Sequence, residues 1–154
     1  MSKKYYLAYG SNLNLEQMAF RCPDAKPIGT INLKDYRLVY KGTTDGHAYL
    51  TIEKYEGYTV PLGLYELSII DILSLDRYEG HPAIYSKYYI KVQIGNEVVK
   101  ALIYIMNECF DYHTPNKKYI STCIKGYKYF GFDKKILKKA LEDTQIEMTK
   151  KLKR

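Results

Sequence analysis

The chain has no tryptophan and only three cysteines, three histidines and five prolines in 154 residues. Each shortage argues against a class of architecture or chemistry. Cys22, Cys109 and Cys123 stand far apart with no C-x-x-C pair, so neither a disulfide framework nor a zinc site is signalled. His47, His81 and His113 are equally scattered, and the expectation is a protein without a metal centre. No apolar run approaches the roughly 20 residues that span a bilayer. Met1-Ser2-Lys3-Lys4 leads straight into strand-like sequence, without the apolar core and cleavage site of a secretion signal. A cytoplasmic location is expected.

Acidic residues are also short: 17 Asp and Glu against 24 Lys and Arg, a formal charge of +7. An excess of cations suits a phosphate-bearing partner. Here ten of them follow residue 124, in a segment interrupted by Glu142, Asp143 and Glu147. That pattern reads as the solvated face of a terminal helix, which keeps a protein soluble. Neither nucleic acid nor membrane is an expected partner.

What remains is a composition of 46% hydrophobic and 27% charged residues, that of one globular domain over residues 1–154. "KKYYLAY" (3–9) reads as a central strand that ends at Gly10-Ser11-Asn12. Asn14 is placed to cap a short helix through Arg21, with Gln17 as its capping-box partner. Strand-like sequence follows in 28–40, in 47–55 and in 59–67, the last two joined by "EGY". Ser68 opens a helix whose Gly80 suits the left-handed position past its end. The stretch 84–94 alternates, Ile84, Tyr88, Ile90, Val92 and Ile94 against Lys87, Lys91 and Gln93. Gly95-Asn96 then turns it into a second strand, 98–106. Helices over 116–130 and 133–150 close the chain, the second capped by Asp133. Strands joined by short loops exclude a doubly wound parallel sheet. The reading is an α+β fold, a mixed, largely antiparallel sheet or small barrel with helices outside.

Two segments have chemical potential. Successive amides in "YGSN" (9–12) can form a nest for an anion, although a strand end and a helix cap explain the same residues. In "SLDRYEGHPAIY" (74–85), Glu79 falls at the negative end of a helix dipole, which raises a carboxyl pKa. Asp76 would push the same way and Arg77 against it. A carboxyl titrating near neutrality is suited to general acid–base catalysis, whereas the plain alternative is an exposed glutamate beside a C-cap glycine.

Taken together, "YLAYGSNL" (6–13) and "LDRYEG" (75–80) followed by Tyr85 closely resemble the gamma-glutamylcyclotransferase-like family. Its members open with a Y-G-S-N-type loop and carry a glutamate in an L-D-x-x-E-G segment. Pro115, Tyr119, Gly126 and Gly131 also match that family's later pattern. Tyr127 and Phe132-Asp133 depart from it. The resemblance implies a six-stranded, barrel-like sheet flanked by helices and a small-molecule substrate. The reaction it implies releases an amino acid or amine from a gamma-glutamyl amide as 5-oxoproline closes, with no cofactor. Glu79 would be the catalytic acid–base, and Gly10, Ser11, Asn12 and Leu13 an amide cradle for the glutamyl part. Tyr85, Tyr104 and Tyr119 would supply hydroxyls, with Tyr9 beside them or in packing. Loops 41–47 and 107–115 would shape the acceptor side. The substrate could equally be a gamma-glutamylamine or another gamma-glutamyl-capped product. The expected assembly is a monomer or homodimer. A non-catalytic binding protein on the same scaffold is the reading of another class.

Overall fold

A computed structural model describes residues 3–153; Met1, Ser2 and Arg154 lie outside it. The tyrosine-rich opening run forms β1 (Lys4–Ala8), with Leu7 and Ala8 almost fully buried. Its apolar character follows from having a neighbour on each edge. It pairs antiparallel with β3 (Ala48–Leu67) and parallel with β5 (Glu97–Met106). Outside these lie β2 (Lys26–Gly42) and β6 (Asp111–Tyr112) on one side and β4 (Tyr85–Ile94) on the other. The six-stranded order is β4-β5-β1-β3-β2-β6, mixed and largely antiparallel as expected. Four helices flank it: α1 (Leu15–Arg21), α2 (Ile69–Tyr78), α3 (Lys117–Phe130) and α4 (Lys135–Leu152). None of these described helices is long and apolar enough to cross a membrane.

The sheet curls without closing. β2 and β3 form one long ribbon of 17 and 20 residues, not the separate strands expected over 47–55 and 59–67. The "EGY" segment is absorbed as a bulge. The register slips between Lys34 and Tyr36, where Asp35 adopts a left-handed φ of 63° opposite Gly57 at 89°. The Asp35 carboxylate accepts the Gly57 N–H at 3.0 Å, which fixes the bend. Beyond it, the start of β3 swings toward β5, and Thr51 Oγ1 accepts the Met106 N–H at 3.0 Å. Side-chain bonds, not a strand ladder, hold that seam. Arg37 pins α4 to the ribbon by donating to Glu53 at 2.7 and 3.0 Å and to Glu147 at 2.8 Å.

Local signals mark the helix ends. Ser68 Oγ accepts the Asp71 N–H and the Asp71 carboxylate accepts the Ser68 N–H, a complete capping box for α2. Asn14 caps α1 by accepting from Glu16 and Gln17, but Gln17 does not reciprocate. The Asn14 N–H is already taken by Ser11 in the 3-10 turn Ser11–Leu13. Along β4 the alternation holds for Val92, which is buried, and fails for Tyr88, which is 52% exposed.

The 3-10 turn is seated by close packing. Leu13 is fully buried, and a Cβ on Gly126 of α3 would stand 2.5 Å from its carbonyl carbon. A Cβ on Gly63 of β3 would stand 2.6 Å from Leu13 Cδ2. Both glycines are small because backbone and Leu13 occupy that space. Gly126→Ala should therefore destabilise the protein by about 2 kcal/mol in urea unfolding. An unchanged midpoint would show that α3 gives way freely.

Candidate active site

The ends of β1 and β5, the start of β3 and the end of α2 surround a cavity of about 310 Å³. The opening loop contributes Tyr9, Gly10, Ser11 and Asn12, and Glu79 faces them across the space. Tyr85, Tyr104 and Tyr119 also line it, so two sequence segments nearly 70 residues apart meet here, joined directly by a 3.3 Å hydrogen bond from Asn12 Nδ2 to Glu79 Oε1. Of the catalytic and substrate-binding residues named from sequence, Leu13 alone is absent from the lining. Its N–H donates to Gly10 O at 3.0 Å and its side chain is the anchor just described. The amides of Gly10, Ser11 and Asn12 donate to no main-chain oxygen among the described residues. That leaves three N–H groups without main-chain partners in a loop that lines the cavity, groups of the kind that can take a carboxylate or a developing oxyanion.

Asn12 organises this end. Its carbonyl Oδ1 accepts from Arg21 Nη1, an obligate donor, which fixes which way the amide points. The amino group then donates to Tyr6 OH at 3.0 Å as well as to Glu79, and the Asn12 main-chain oxygen accepts from Tyr65 OH at 2.7 Å. Arg21 reaches Ser11 Oγ at 3.4 Å and lies 3.3 Å over the Tyr78 ring.

Glu79 sits at the C-terminal cap of α2, its N–H on Leu75 O at 2.8 Å, followed by Gly80 at a left-handed φ of 64°. Burial pushes its carboxyl up to about 7, against the opposing pull of the Arg21 guanidinium. The perturbers differ from those expected. Asp76 is tied to Lys87 at 2.7 Å and to Tyr104 OH at 2.5 Å, and Arg77 is exposed. Burial alone would raise Asp76, but the bonds from Lys87 and Tyr104 outweigh it and hold its carboxyl below the usual range. His81 contacts Tyr85 O at 3.3 Å and does not line the cavity.

The tyrosines divide into walls and a donor. Tyr9 donates to Tyr104 O at 2.6 Å, Tyr85 to Leu50 O at 2.8 Å and Tyr104 to Asp76. Their protons are committed elsewhere, so they shape the cavity. Tyr119 OH instead accepts the Leu50 N–H at 3.1 Å, and among the described residues no main-chain oxygen takes its proton. A Cβ on Gly10 would lie 3.1 Å from that hydroxyl, which places Tyr119 against the loop.

Sequence reasoning missed Arg21, Tyr6, Tyr49, Leu50, Tyr78 and Ile84. Arg21 had one available signal, a cation in the last turn of a helix beginning at the loop itself. The three tyrosines had none, nothing in type or spacing setting them apart from the rest of the 18. No lining residue comes from 41–47 or 107–115. Those segments pack on each other, with Gly46 N donating to Thr114 O at 2.7 Å and Asp45 accepting from Thr114 N at 3.1 Å. Tyr127 and Phe132, departures in the later motif, pack edge to face with centroids 5.4 Å apart, and neither lines the cavity. Three lysines of α4 are drawn to acids: Lys139 to Asp143 at 2.8 Å, Lys150 to Glu147 at 3.7 Å, and Lys151 to Asp111.

Two consequences follow from the carboxyl. Between an unfolded value near 4.5 and a folded value of about 7, the native state holds the extra proton, so stability declines as pH rises through that window. Glu79→Gln should relieve this, unfolding with up to about 3 kcal/mol more free energy than the parent above pH 7 and with no gain near pH 4.5. A difference constant across that range would refute a burial-strained carboxyl. Arg21→Met should move the Glu79 titration upward, visible in the carboxyl infrared band; a downward move would reverse the assigned sign.

Residues 6–128 match the family described as gamma-glutamyl cyclotransferase, AIG2-like. Among solved structures, one described as a gamma-glutamyl cyclotransferase superposes with a TM-score of 0.77 at 24% identity, covering 90% of this chain and 86% of that one. A Homo sapiens protein described as uncharacterized protein loc79017 gives 0.78 at 25% identity, over 91% and 87%. YkqA from Bacillus subtilis gives 0.70 at 19% identity, over 90% of this chain and 53% of its own. No curated protein matches the sequence.

Proposed function

We propose that this chain, which belongs to the gamma-glutamyl cyclotransferase, AIG2-like family, cleaves a gamma-glutamyl amide to 5-oxoproline and a free amine. The observation that carries the reading is the Glu79 carboxyl, raised to about 7, in one cavity with the amides of Gly10, Ser11 and Asn12, which no main-chain oxygen among the described residues engages.

The substrate carries its own nucleophile. Its alpha-amine attacks the gamma-carbonyl carbon, a new N–C bond closes a five-membered ring, and the original amide C–N bond breaks. Atoms balance without water. At neutral pH the alpha-amine holds a proton that blocks attack, and ionised Glu79 takes it. The same carboxyl, now protonated, gives it to the departing nitrogen, then takes the second proton that the ring nitrogen sheds on becoming an amide and passes it to the released amine, which leaves as its ammonium. A group serving as base and then acid works best when its pKa lies near the working pH.

Because the attack is intramolecular, binding has to select one folded rotamer of a flexible chain. The amide row would grip the glutamyl carboxylate, and one of its N–H groups or the Tyr119 hydroxyl would meet the oxyanion. Asn12, clamped by Arg21, holds the Glu79 carboxyl toward that space.

Glu79→Gln should lower 5-oxoproline release by a factor of about 10³ while still binding the substrate. In the parent protein kcat/KM should fall about tenfold per pH unit below 7, as the base is protonated. Normal turnover by the variant would remove Glu79 from this role.

A further inference from the structure

The cavity is asymmetric in composition. Its inner wall holds the polar groups: Asn12 is 3% exposed, Ser11 is 9% exposed, and Tyr119 abuts Gly10. Its open side is built from Tyr49, Tyr78 and Ile84, which are 39%, 47% and 41% exposed. These side chains come from different elements. Tyr49 begins β3, Tyr78 ends α2, and Ile84 lies in the turn before β4. Large apolar side chains converging on one mouth and left in contact with water mark a surface that a ligand covers.

The rim is also held in place. Tyr49 packs its ring edge-on against Tyr119 at 5.1 Å between centroids. The Arg21 guanidinium backs the Tyr78 ring at 3.3 Å while its Nη1 is engaged by Asn12 and Ser11. Ile84 is tethered by its N–H to Gly80 O at 2.9 Å. Glu79 is the one acidic or basic side chain among the residues lining the cavity. A released amine carrying a carboxylate would leave past that acid across an apolar rim, with no lining cation to pair it.

Resting on the cyclotransferase reading, which puts the glutamyl part against the amides of residues 10–12, we infer that the Tyr49–Tyr78–Ile84 rim is the leaving-amine subsite and selects an apolar or aromatic amine without a carboxylate. The scissile amide then lies between Glu79 and the rim. Covering the rim removes apolar surface from water in both the bound state and the transition state, so selectivity is read in kcat/KM.

The test measures kcat/KM for gamma-glutamyl-phenethylamide and gamma-glutamyl-isoamylamide against gamma-glutamylglycine and gamma-glutamylglutamate. It also measures binding of the same compounds to Glu79→Gln by calorimetry. The apolar amides should lead by at least about tenfold in kcat/KM and in affinity. Tyr49→Ser and, as a second variant, Ile84→Ala should each shrink that lead several-fold. Equal values across the panel, no binding by any compound, or preference for the carboxylate-bearing amides would overturn the rim assignment. Rim-dependent binding with no 5-oxoproline from any compound would uphold the subsite and overturn the cyclotransferase reading instead.

Discussion

The side chain of Asn12 is the junction on which the site depends. It accepts from Arg21 on α1, donates to Tyr6 on β1 and to Glu79 past α2, while its main chain takes the Tyr65 hydroxyl on β3. A buried amide with its donors and acceptor all engaged has one orientation. Arg21 can only donate, so the amino group must face Glu79. Buried networks of this kind are costly when incomplete and rigid when satisfied. The distance between loop and carboxyl is set by that network and not by the strand ladder alone.

Beneath it lies a packing constraint. Among the described residues no main-chain oxygen takes the amides of Gly10, Ser11 and Asn12, because the chain turns sharply at Ser11–Leu13 and stays there. Leu13, wedged against the glycines of β3 and α3, holds that turn. Free amides and a buried leucine are two ends of one lever: the polar side of the turn faces the cavity because its apolar side is locked in the core.

Sequence carried the parts of this that are local. The Gly-Ser-Asn break after β1, the Ser68 cap, the left-handed Gly80 and the Gly95-Asn96 turn each depend on neighbours within four residues, and periodicity or turn chemistry reports them. The joining of residues 47–55 and 59–67 into one strand was not legible. Its middle is exposed, and the bulge needs Asp35, a residue 22 positions away, to bond Gly57. Leu13 read as part of the amide row because its neighbours are, whereas its N–H closes the turn. Arg21 and the rim of Tyr49, Tyr78 and Ile84 act through side chains brought together by tertiary contact, which spacing does not encode. The raised Glu79 carboxyl was legible in direction but not in cause. The sequence pointed to the helix dipole and Asp76, and burial is what raises it.

The tyrosine walls decide what kind of chemistry this cavity admits. Burial pushes the phenols of Tyr9, Tyr85, Tyr104 and Tyr119 far above their ordinary range, so they stay protonated throughout the physiological span. With Asp76 held ionised by Lys87 and Tyr104, Glu79 is the lining group poised to change charge near neutrality. A cavity with one mobile proton suits a reaction in which the proton taken from the nucleophile is the one returned to the leaving group. It suits poorly a hydrolysis that must also activate water. The same burial that makes Glu79 useful makes its ionised form unfavourable in the native state, and the Arg21 guanidinium offsets part of that cost. The Arg21–Asn12 clamp therefore links proton affinity and geometry: the cation that tempers the carboxyl is also the donor that orients the amide beside it.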